Sequence, residues 1–213
     1  IHGVLNHKDS LGHEGVIHDG CCQWMTAGGG ILHQEMPQSV PHLLGLQLWI
    51  NLPAKDKFAP PKYRDIEAET LPVTREDGVE VRILCGTYKG TAGAMQADYV
   101  PAVYLDAHLA PGRVWTVETA PGNTVFAYLL EGEVSCEEGG EMLAPHRAVL
   151  LGDGNFARFE AGPEGARFVF LSAPPLKEPV AWGGPIVMNT QEELDTAFRD
   201  LRWGAFLRHR ESE

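Results

Sequence analysis

The 213-residue sequence has little positive charge. Its 17 lysines and arginines are outnumbered by 29 aspartates and glutamates, and the formal net charge is −12. A protein that binds nucleic acid directly usually presents a basic face, so this balance argues against that class of function. The sequence also has no apolar run long enough to cross a bilayer as a helix. We therefore expect neither nucleic acid nor a membrane as a direct partner.

Cysteine is also scarce, with four residues in the chain: Cys21, Cys22, Cys85 and Cys136. Their spacing fits no zinc finger or zinc ribbon. We expect reduced, mostly buried thiols in a reducing compartment, the cytoplasm or, in a eukaryote, also the nucleus. A redox or metal role for the adjacent pair at 21–22 is the alternative, although neighbours on a strand point to opposite faces.

Short apolar runs alternate with turn residues along most of the chain. With 44% apolar residues, the sequence can build a sizeable core. Many short strands at near-even spacing are typical of a β-barrel or a β-sandwich, so the pattern predicts an all-β fold. The predicted strands are 81–84, 103–109, 125–130, 148–151 and 167–171, with turns at 111–112, 121–123, 138–140, 152–154 and 162–163.

One helix is predicted, near the C-terminus. Residues 189–193 offer an N-terminal cap with acidic residues in the first turn. Apolar residues then follow at helical spacing from Leu194 to Leu201, and Gly204 is expected to end the helix. The stretch 53–72 is rich in Pro, Lys, Asp and Glu and is typical of a connection. We place a domain boundary within it, near residue 66.

The most informative segment is 23–37, which contains the pair His33 and Glu35. The glycine run 28–30 before the pair predicts a tight turn, because glycine accepts positive φ. Alternate residues of a strand point to one face, so the two side chains are expected to project together. An imidazole beside a carboxylate is half of a metal site that suits non-haem iron. The alternative is a buried His–Glu pair joined by a hydrogen bond. Gln23 is a candidate partner that orients a ligand.

This segment, with QWMTAG at 23–28 and His-x-Glu at 33–35, resembles the pirin family of bicupins. The resemblance extends to HKDSLGHEG at 7–15, to GLQLWINL at 45–52, which looks like a strand of the family, and to the closing segment 184–193. It implies two cupin-type β-barrels, the first incomplete in this chain, and a C-terminal helix. Residues 1–66 would form the C-terminal part of a metal-binding N-terminal barrel. Residues 67–213 would form a C-terminal barrel without metal ligands, plus the helix.

The resemblance also implies a ligand set of three histidines and one glutamate, with His33 and Glu35 as two of the four metal ligands. Fe(II) is the expected metal, with other divalent transition metals as alternatives. The family's other two ligands lie in a His-x-His motif on an earlier strand, and this sequence contains no such motif. We therefore expect the family's N-terminal segment to be absent from this chain. A chain with two ligands is expected to hold metal weakly, to be inactive by itself and to aggregate through its first 66 residues.

Other histidines are open to two interpretations. His108 and His146 are isolated, so we expect them to be surface or core residues without a metal. Four histidines precede the His-x-Glu pair, and the pattern favours exposed loop positions for them over a role as substitute ligands: His2, His7, His13 and His18.

The function that the resemblance implies is a quercetin 2,3-dioxygenase type of enzyme, which cleaves a flavonol with O₂ at a mononuclear non-haem Fe(II) site. Glu35 is the candidate catalytic residue, since it could accept the flavonol proton. The alternative is a non-enzymatic, iron-dependent transcriptional co-regulator that binds a protein partner. O₂ uptake in the presence of a flavonol would separate the two.

Overall fold

A computed structural model of the chain describes residues 2–208. They form two compact units, with unit 1 drawn from Ile1–Thr70 and Leu176–Glu213 and unit 2 from Leu71–Pro175. Unit 2 is thus continuous in sequence, whereas unit 1 combines two separate stretches. The domain division near residue 66 stays a prediction, because compactness alone does not identify the barrel to which a residue belongs.

Short strands dominate both units, and one α-helix occurs among the described residues. In chain order the strands are β1 Leu5–Asp9, β2 Glu14–Ile17, β3 Cys22–Thr26, β4 His33–Pro37, β5 Lys62–Ile66, β6 Val73–Glu76, β7 Val79–Cys85, β8 Thr87–Tyr88, β9 Thr91–Ala92, β10 Val103–Leu109, β11 Val114–Glu118, β12 Thr124–Ser135, β13 Ala148–Leu150, β14 Phe156–Ala173, β15 Ala181–Gly183 and β16 Ile186–Met188, and the helix α1 is Gln191–Trp203. The predicted fold class, all-β with a C-terminal helix, is confirmed.

In unit 1, β1 is the centre of a three-stranded antiparallel sheet in the order β2-β1-β4, and β3 pairs with β5. The tight turn predicted at 28–30 lies just before β4, where the Gly30 amide donates to the Ala27 carbonyl at 2.8 Å. Gly28 has a φ of +47°, and a Cβ there would lie 2.0 Å from the Ala59 carbonyl oxygen. Only glycine fits this close approach, which fixes the entry of the chain into β4.

In unit 2, β14 organises the sheet. Its 18 residues pair with β11 near their start and with β10 and β12 further along, always antiparallel. The sheet runs in the order β13-β12-β14-β10-β7-β6. β11 buries alternate residues, so that Trp115 and Val117 point inward, as the period of two along a strand requires.

The interior of unit 2 is aromatic. Phe159, Phe168 and Phe170 are fully buried. The ring centroids of Trp115, Phe159, Phe168 and Phe170 lie 4.6 to 6.1 Å apart in their close pairs. The Trp115 indole N–H donates to the Tyr88 hydroxyl at 2.8 Å, so this buried polar group is satisfied. Each such aromatic pair contributes about 0.5–1.5 kcal/mol beyond area burial. The cluster is therefore a principal anchor of unit 2.

The turn expected at 162–163 is wrong, because these residues lie inside β14. Pairing of β14 with β12 skips from Ala161 to Ala166, so the residues between them bulge out of the ladder and the strand bends without ending. Gly132 on β12 makes the bend possible, since a Cβ there would lie 2.0 Å from the Gly165 carbonyl oxygen.

The strand expected at 45–52 is also wrong. The structure gives this stretch no strand pairing within the described part of the chain. Its central Trp49 is 53% exposed, so the apolar pattern there is not matched by burial. The β-rich sequence pattern predicted extended backbone but could not supply a pairing partner.

Helix α1 begins and ends as its sequence predicts. The Thr190 side chain accepts from the Glu193 amide while the Glu193 carboxylate accepts from the Thr190 amide, a capping box. Gly204 closes the helix with a φ of 74°. Leu194 and Ala197 are buried against β16 and neighbouring apolar residues of unit 1. No helix in the described range is both long and apolar enough to pass through a membrane.

Candidate metal centre

Two strands of unit 1 bring four polar residues into a two-by-two block. β1 and β4 pair so that His7 lies opposite Glu35 and Asp9 lies opposite His33. Alternate residues of a strand share a face, and directly opposed residues of an antiparallel pair share it too. All four side chains therefore stand on the same side of the sheet. Lys8 and Gln34, the pair between them, belong to the other side.

Three members of this block can meet at one point. His7, His33 and Glu35 each offer a ligand atom, and these atoms lie within 4.8 Å of one another. The His33 Nδ1 is 3.9 Å from the Glu35 carboxylate, so the expected side-by-side placement of this pair is present. Two imidazoles and one carboxylate on one side of a sheet form the donor set of non-haem iron sites with open coordination positions.

The burial of the His7 ring and its lack of hydrogen bonds among the described residues are what a metal ligand would show. His7 is 3% exposed, and within residues 2–208 neither of its ring nitrogens has a hydrogen-bond partner. A buried polar group without a partner costs about 1–3 kcal/mol, so such groups are rare unless a ligand completes them. A divalent transition metal would accept the unused lone pair of this imidazole. The residues present therefore fit such an ion.

The expectation that His7 occupies an exposed loop is wrong. It lies on β1, where pairing to β4 and stacking on Tyr63 bury it. His2, His13 and His18 are exposed, as expected, and lie outside the three-residue group. One signal could have identified His7: the spacing His7-x-Asp9 repeats that of the His-x-Glu pair. The register of β1 on β4, which makes the two pairs opposed, cannot be read from the sequence.

A second layer of polar contacts surrounds the block. The Asp9 carboxylate accepts hydrogen bonds from the Leu11 amide at 2.8 Å, the His13 amide at 3.1 Å and the His13 ring at 2.9 Å. Burial would raise the pKa of Asp9, but these hydrogen bonds lower it below its usual value. The Asp9 Oδ2 also lies 3.6 Å from the His7 Nε2. A buried, ionised carboxylate thus adjoins the candidate ligand.

Tyr63 on β5 is the aromatic neighbour of this layer. Its ring stacks with those of His7, at a centroid distance of 4.6 Å, and His13, at 4.9 Å. Its hydroxyl donates to Asp65 and accepts from the Gln23 side chain. Burial and the Asp65 carboxylate raise the pKa of Tyr63, so the phenol stays protonated. Gln23 therefore holds the tyrosine rather than a candidate ligand, to which no hydrogen bond from it is recorded among the described residues.

The other candidate residues lie elsewhere. His108 on β10 is half-buried with its Nε2 3.4 Å from the Asp106 carboxylate, and His146 is exposed with a φ of 64°. All four cysteines are free thiols. Burial, with Cys21 beside it, raises the pKa of Cys22 to about 11, so this thiol is poor in the thiolate form that reacts or binds metal.

Comparison with known proteins identifies the family of this chain. Residues 1–50 match the Pirin family and residues 104–207 match the Pirin C-terminal cupin domain. The chain is 38% identical over 203 residues to Pirin from Homo sapiens, covering 94% of this chain and 70% of that protein. It is 40% identical over 209 residues to a pirin-like protein from Caulobacter vibrioides, covering 97% and 75%.

A solved structure shows the same fold. The crystal structure of quercetin 2,3-dioxygenase from Acinetobacter baumannii aligns with a TM-score of 0.85 at 34% identity, covering 96% of this chain and 73% of that one. The family matches, the level of identity and the shared cupin-type β-structure agree with one another. The chain belongs to the pirin family of bicupins.

Proposed function

We propose that this protein is a metal-dependent dioxygenase that acts on a flavonol such as quercetin, with Fe(II) held by His7, His33 and Glu35. The observation that carries the proposal is the convergence of these three donors, one of them a buried imidazole with no other partner. The relative from Acinetobacter baumannii bears the name quercetin 2,3-dioxygenase, which supports the choice of substrate class.

The arrangement of the ligands suits this chemistry. Three donors on one side of a sheet leave the opposite coordination positions open for small molecules. Bound Fe(II) would supply Lewis-acid polarisation of the flavonol oxygens and redox chemistry with O₂. The expectation of weak binding counted two ligands, and His7 brings the number to three. We therefore expect this chain to bind a divalent metal.

Glu35 has two roles in the proposal. A carboxylate has two oxygens, so one can ligate the metal while the other accepts a proton. The Glu35 side chain is 33% exposed, which lets a substrate hydroxyl reach it. The proton of the flavonol hydroxyl moves to the free Glu35 oxygen, and the flavonol becomes an anion that donates electrons more readily. His33, 29% exposed, flanks the same opening.

The test is anaerobic loading with Fe(II), followed by addition of several flavonols and O₂. We expect O₂ uptake with loss of the flavonol absorption band. His7→Ala, His33→Ala and Glu35→Ala should each lower the metal content strongly, while the matched controls His108→Ala and His146→Ala should not. Iron content equal to wild type in His33→Ala would contradict the assignment of the site.

Iron-loaded protein that consumes no O₂ with any flavonol would overturn the enzymatic proposal. The family's co-regulator function, with a basic protein as partner of this acidic chain, would then be the better explanation. Capture of that partner that differs between Fe(II)-loaded and Fe(III)-loaded protein would support it. The four free thiols support a reducing compartment for either function, and we place the protein in the cytoplasm or nucleus.

A further inference from the structure

We propose that Asp9 and Tyr63 are positioning residues that together fix the His7 imidazole for metal binding. The inference rests on the proposed metal site and identifies how its buried ligand is oriented. Metal binding by an imidazole depends on the plane of its ring, which rotation about the Cβ–Cγ bond sets, and on its tautomer, that is, which ring nitrogen carries the proton. Tyr63 constrains the plane and Asp9 sets the tautomer.

Tyr63 fixes the plane of the ring. The two rings are stacked at 4.6 Å with an interplanar angle of 13°, so tilting of His7 would drive it into the phenol. The tyrosine is itself held, because the His13 ring also stacks with it, at a centroid distance of 4.9 Å. Its hydroxyl is tied to Gln23 and Asp65 at the far end. The Tyr63 ring is therefore held in one orientation beside His7.

Asp9 sets the tautomer of the ring. Its Oδ2 faces the His7 Nε2 at 3.6 Å, a separation that a small movement closes to a hydrogen bond. Three N–H donors from Leu11 and His13 hold the carboxylate, so it cannot turn away. A carboxylate beside Nε2 favours the tautomer with its proton on that nitrogen, which leaves the metal-binding lone pair on Nδ1.

Neither residue is explained by stability alone. The carboxylate is buried beside an imidazole that makes no hydrogen bond, and a packed apolar pair would be cheaper at the same place. Carboxylate–histidine–metal arrangements are the usual way in which a protein sets the tautomer and basicity of a ligand, and loss of the outer carboxylate typically costs about 10–100-fold in metal affinity.

The first experiment is a titration of the 213-residue chain with Co(II), followed by the visible absorption of the bound ion. We expect Asp9→Asn to weaken binding by about 10–100-fold. Tyr63→Leu, which removes the stacked ring, should weaken binding about tenfold, whereas Tyr63→Phe keeps the ring and should stay within about twofold of wild type. Tyr128→Leu is the control for loss of a partly buried tyrosine in unit 2. Circular dichroism of each variant verifies that it folds.

The second experiment needs no metal. Long-range ¹H–¹⁵N NMR of the metal-free chain reports which nitrogen of His7 carries the proton. We expect the Nε2–H tautomer in wild type and in Tyr63→Phe, and a mixture in Asp9→Asn. Equal Co(II) affinity in wild type, Asp9→Asn and Tyr63→Leu would overturn the positioning roles while leaving the metal site in place. A single Nε2–H tautomer in a wild-type chain that binds no Co(II) would overturn the proposed metal site and with it the positioning of His7 for a metal, although Asp9 would still set the tautomer.

Discussion

Units 1 and 2 use the sides of their antiparallel sheets in opposite ways. In unit 2 the inward positions are aromatic, and even the Trp115 N–H has its partner. In unit 1 the block on β1 and β4 buries an imidazole whose two nitrogens have none. The first arrangement contributes stability, while the second costs about 1–3 kcal/mol until a ligand arrives. Burial alone does not separate core from site, and neither does one unsatisfied atom, since His108 Nε2 and Arg158 Nη1 of unit 2 also lack a hydrogen-bond partner among the described residues. What marks the site in unit 1 is that the unsatisfied imidazole converges with two further ligand atoms.

The comparison predicts its largest effect in the aromatic interior. Phe159→Ala should lower the free energy of unfolding of unit 2 by about 3–5 kcal/mol, because it removes a fully buried ring from the cluster. Urea denaturation followed by circular dichroism measures the loss. Phe156→Ala, on the same strand but 60% exposed, should change stability by less than about 0.5 kcal/mol. Similar losses in the two variants would contradict the assignment of the core.

Acid should weaken unit 2 through Asp106. Burial works to raise its pKa, but the His108 ring 3.4 Å away, two hydrogen bonds from Arg167 and the Arg167 charge lower it to about 2, from an ordinary value of 3.8. A folded-state pKa below the unfolded one gives stability that is complete above pH 4 and is lost as the pH falls toward 2. The shift corresponds to about 2 kcal/mol.

Urea midpoints between pH 7 and pH 2 measure this loss. Asp106→Asn should be less stable than wild type at neutral pH and should lack this part of the acid dependence. Glu118→Gln, an exposed carboxylate of the same unit, should follow wild type. An unchanged acid slope in Asp106→Asn would show that other carboxylates carry it.

Converting the polar site into a core tests the comparison directly. His7→Phe replaces a buried, unsatisfied imidazole by a ring that can keep the stack on Tyr63. We expect the metal-free chain to gain about 1–2 kcal/mol and to lose its stabilisation by added metal. Thermal unfolding with and without metal measures both. The exposed His42→Phe should leave both unchanged; a destabilised His7→Phe chain would mean that the imidazole is satisfied in the folded protein.

The smallest expected effect is at the start of α1 in unit 1. Thr190→Ala removes the hydroxyl of the capping box and should cost about 1 kcal/mol. Thr196→Ala, inside the same helix, should cost less, because alanine is the better helix former there. Urea denaturation of the two variants decides the point. Equal losses would show that the hydroxyl at 190 makes no specific contribution.

The elements predicted best are those that local chemistry specifies. Strand β10 has the predicted bounds 103–109, and α1 has the predicted cap and the predicted glycine stop. The prediction of a turn at 162–163 is wrong, although its Gly and Pro are typical turn residues. The residues after Ala161 bulge out of the ladder and strand pairing resumes at Ala166, so β14 bends there without ending.

About half of the candidate site could be predicted from the sequence. His33 and Glu35 were identified from their spacing and from the family resemblance, and their role as ligands stays a prediction. His7 was missed because the pairing of β1 with β4 spans two intervening strands. The register of strand pairing depends on which faces of the whole sheet are buried, so it cannot be read from a local segment of the sequence. The repeated spacing, His-x-Asp and His-x-Glu, was the available clue.

The long strand β14 also affects the order in which the sheet of unit 2 can form. Its residues pair with strands that begin as early as Val103, so the seven-stranded sheet depends on contacts between distant parts of the chain. Such contacts form slowly, because closing a large loop costs conformational entropy before the contact is made. During synthesis β10 and β12 leave the ribosome before β14, with which both of them pair. Until β14 emerges, the edge of each strand that pairs with it is exposed. Because one bent strand joins three others, these edges stay open to pairing with other chains until residue 173 has emerged.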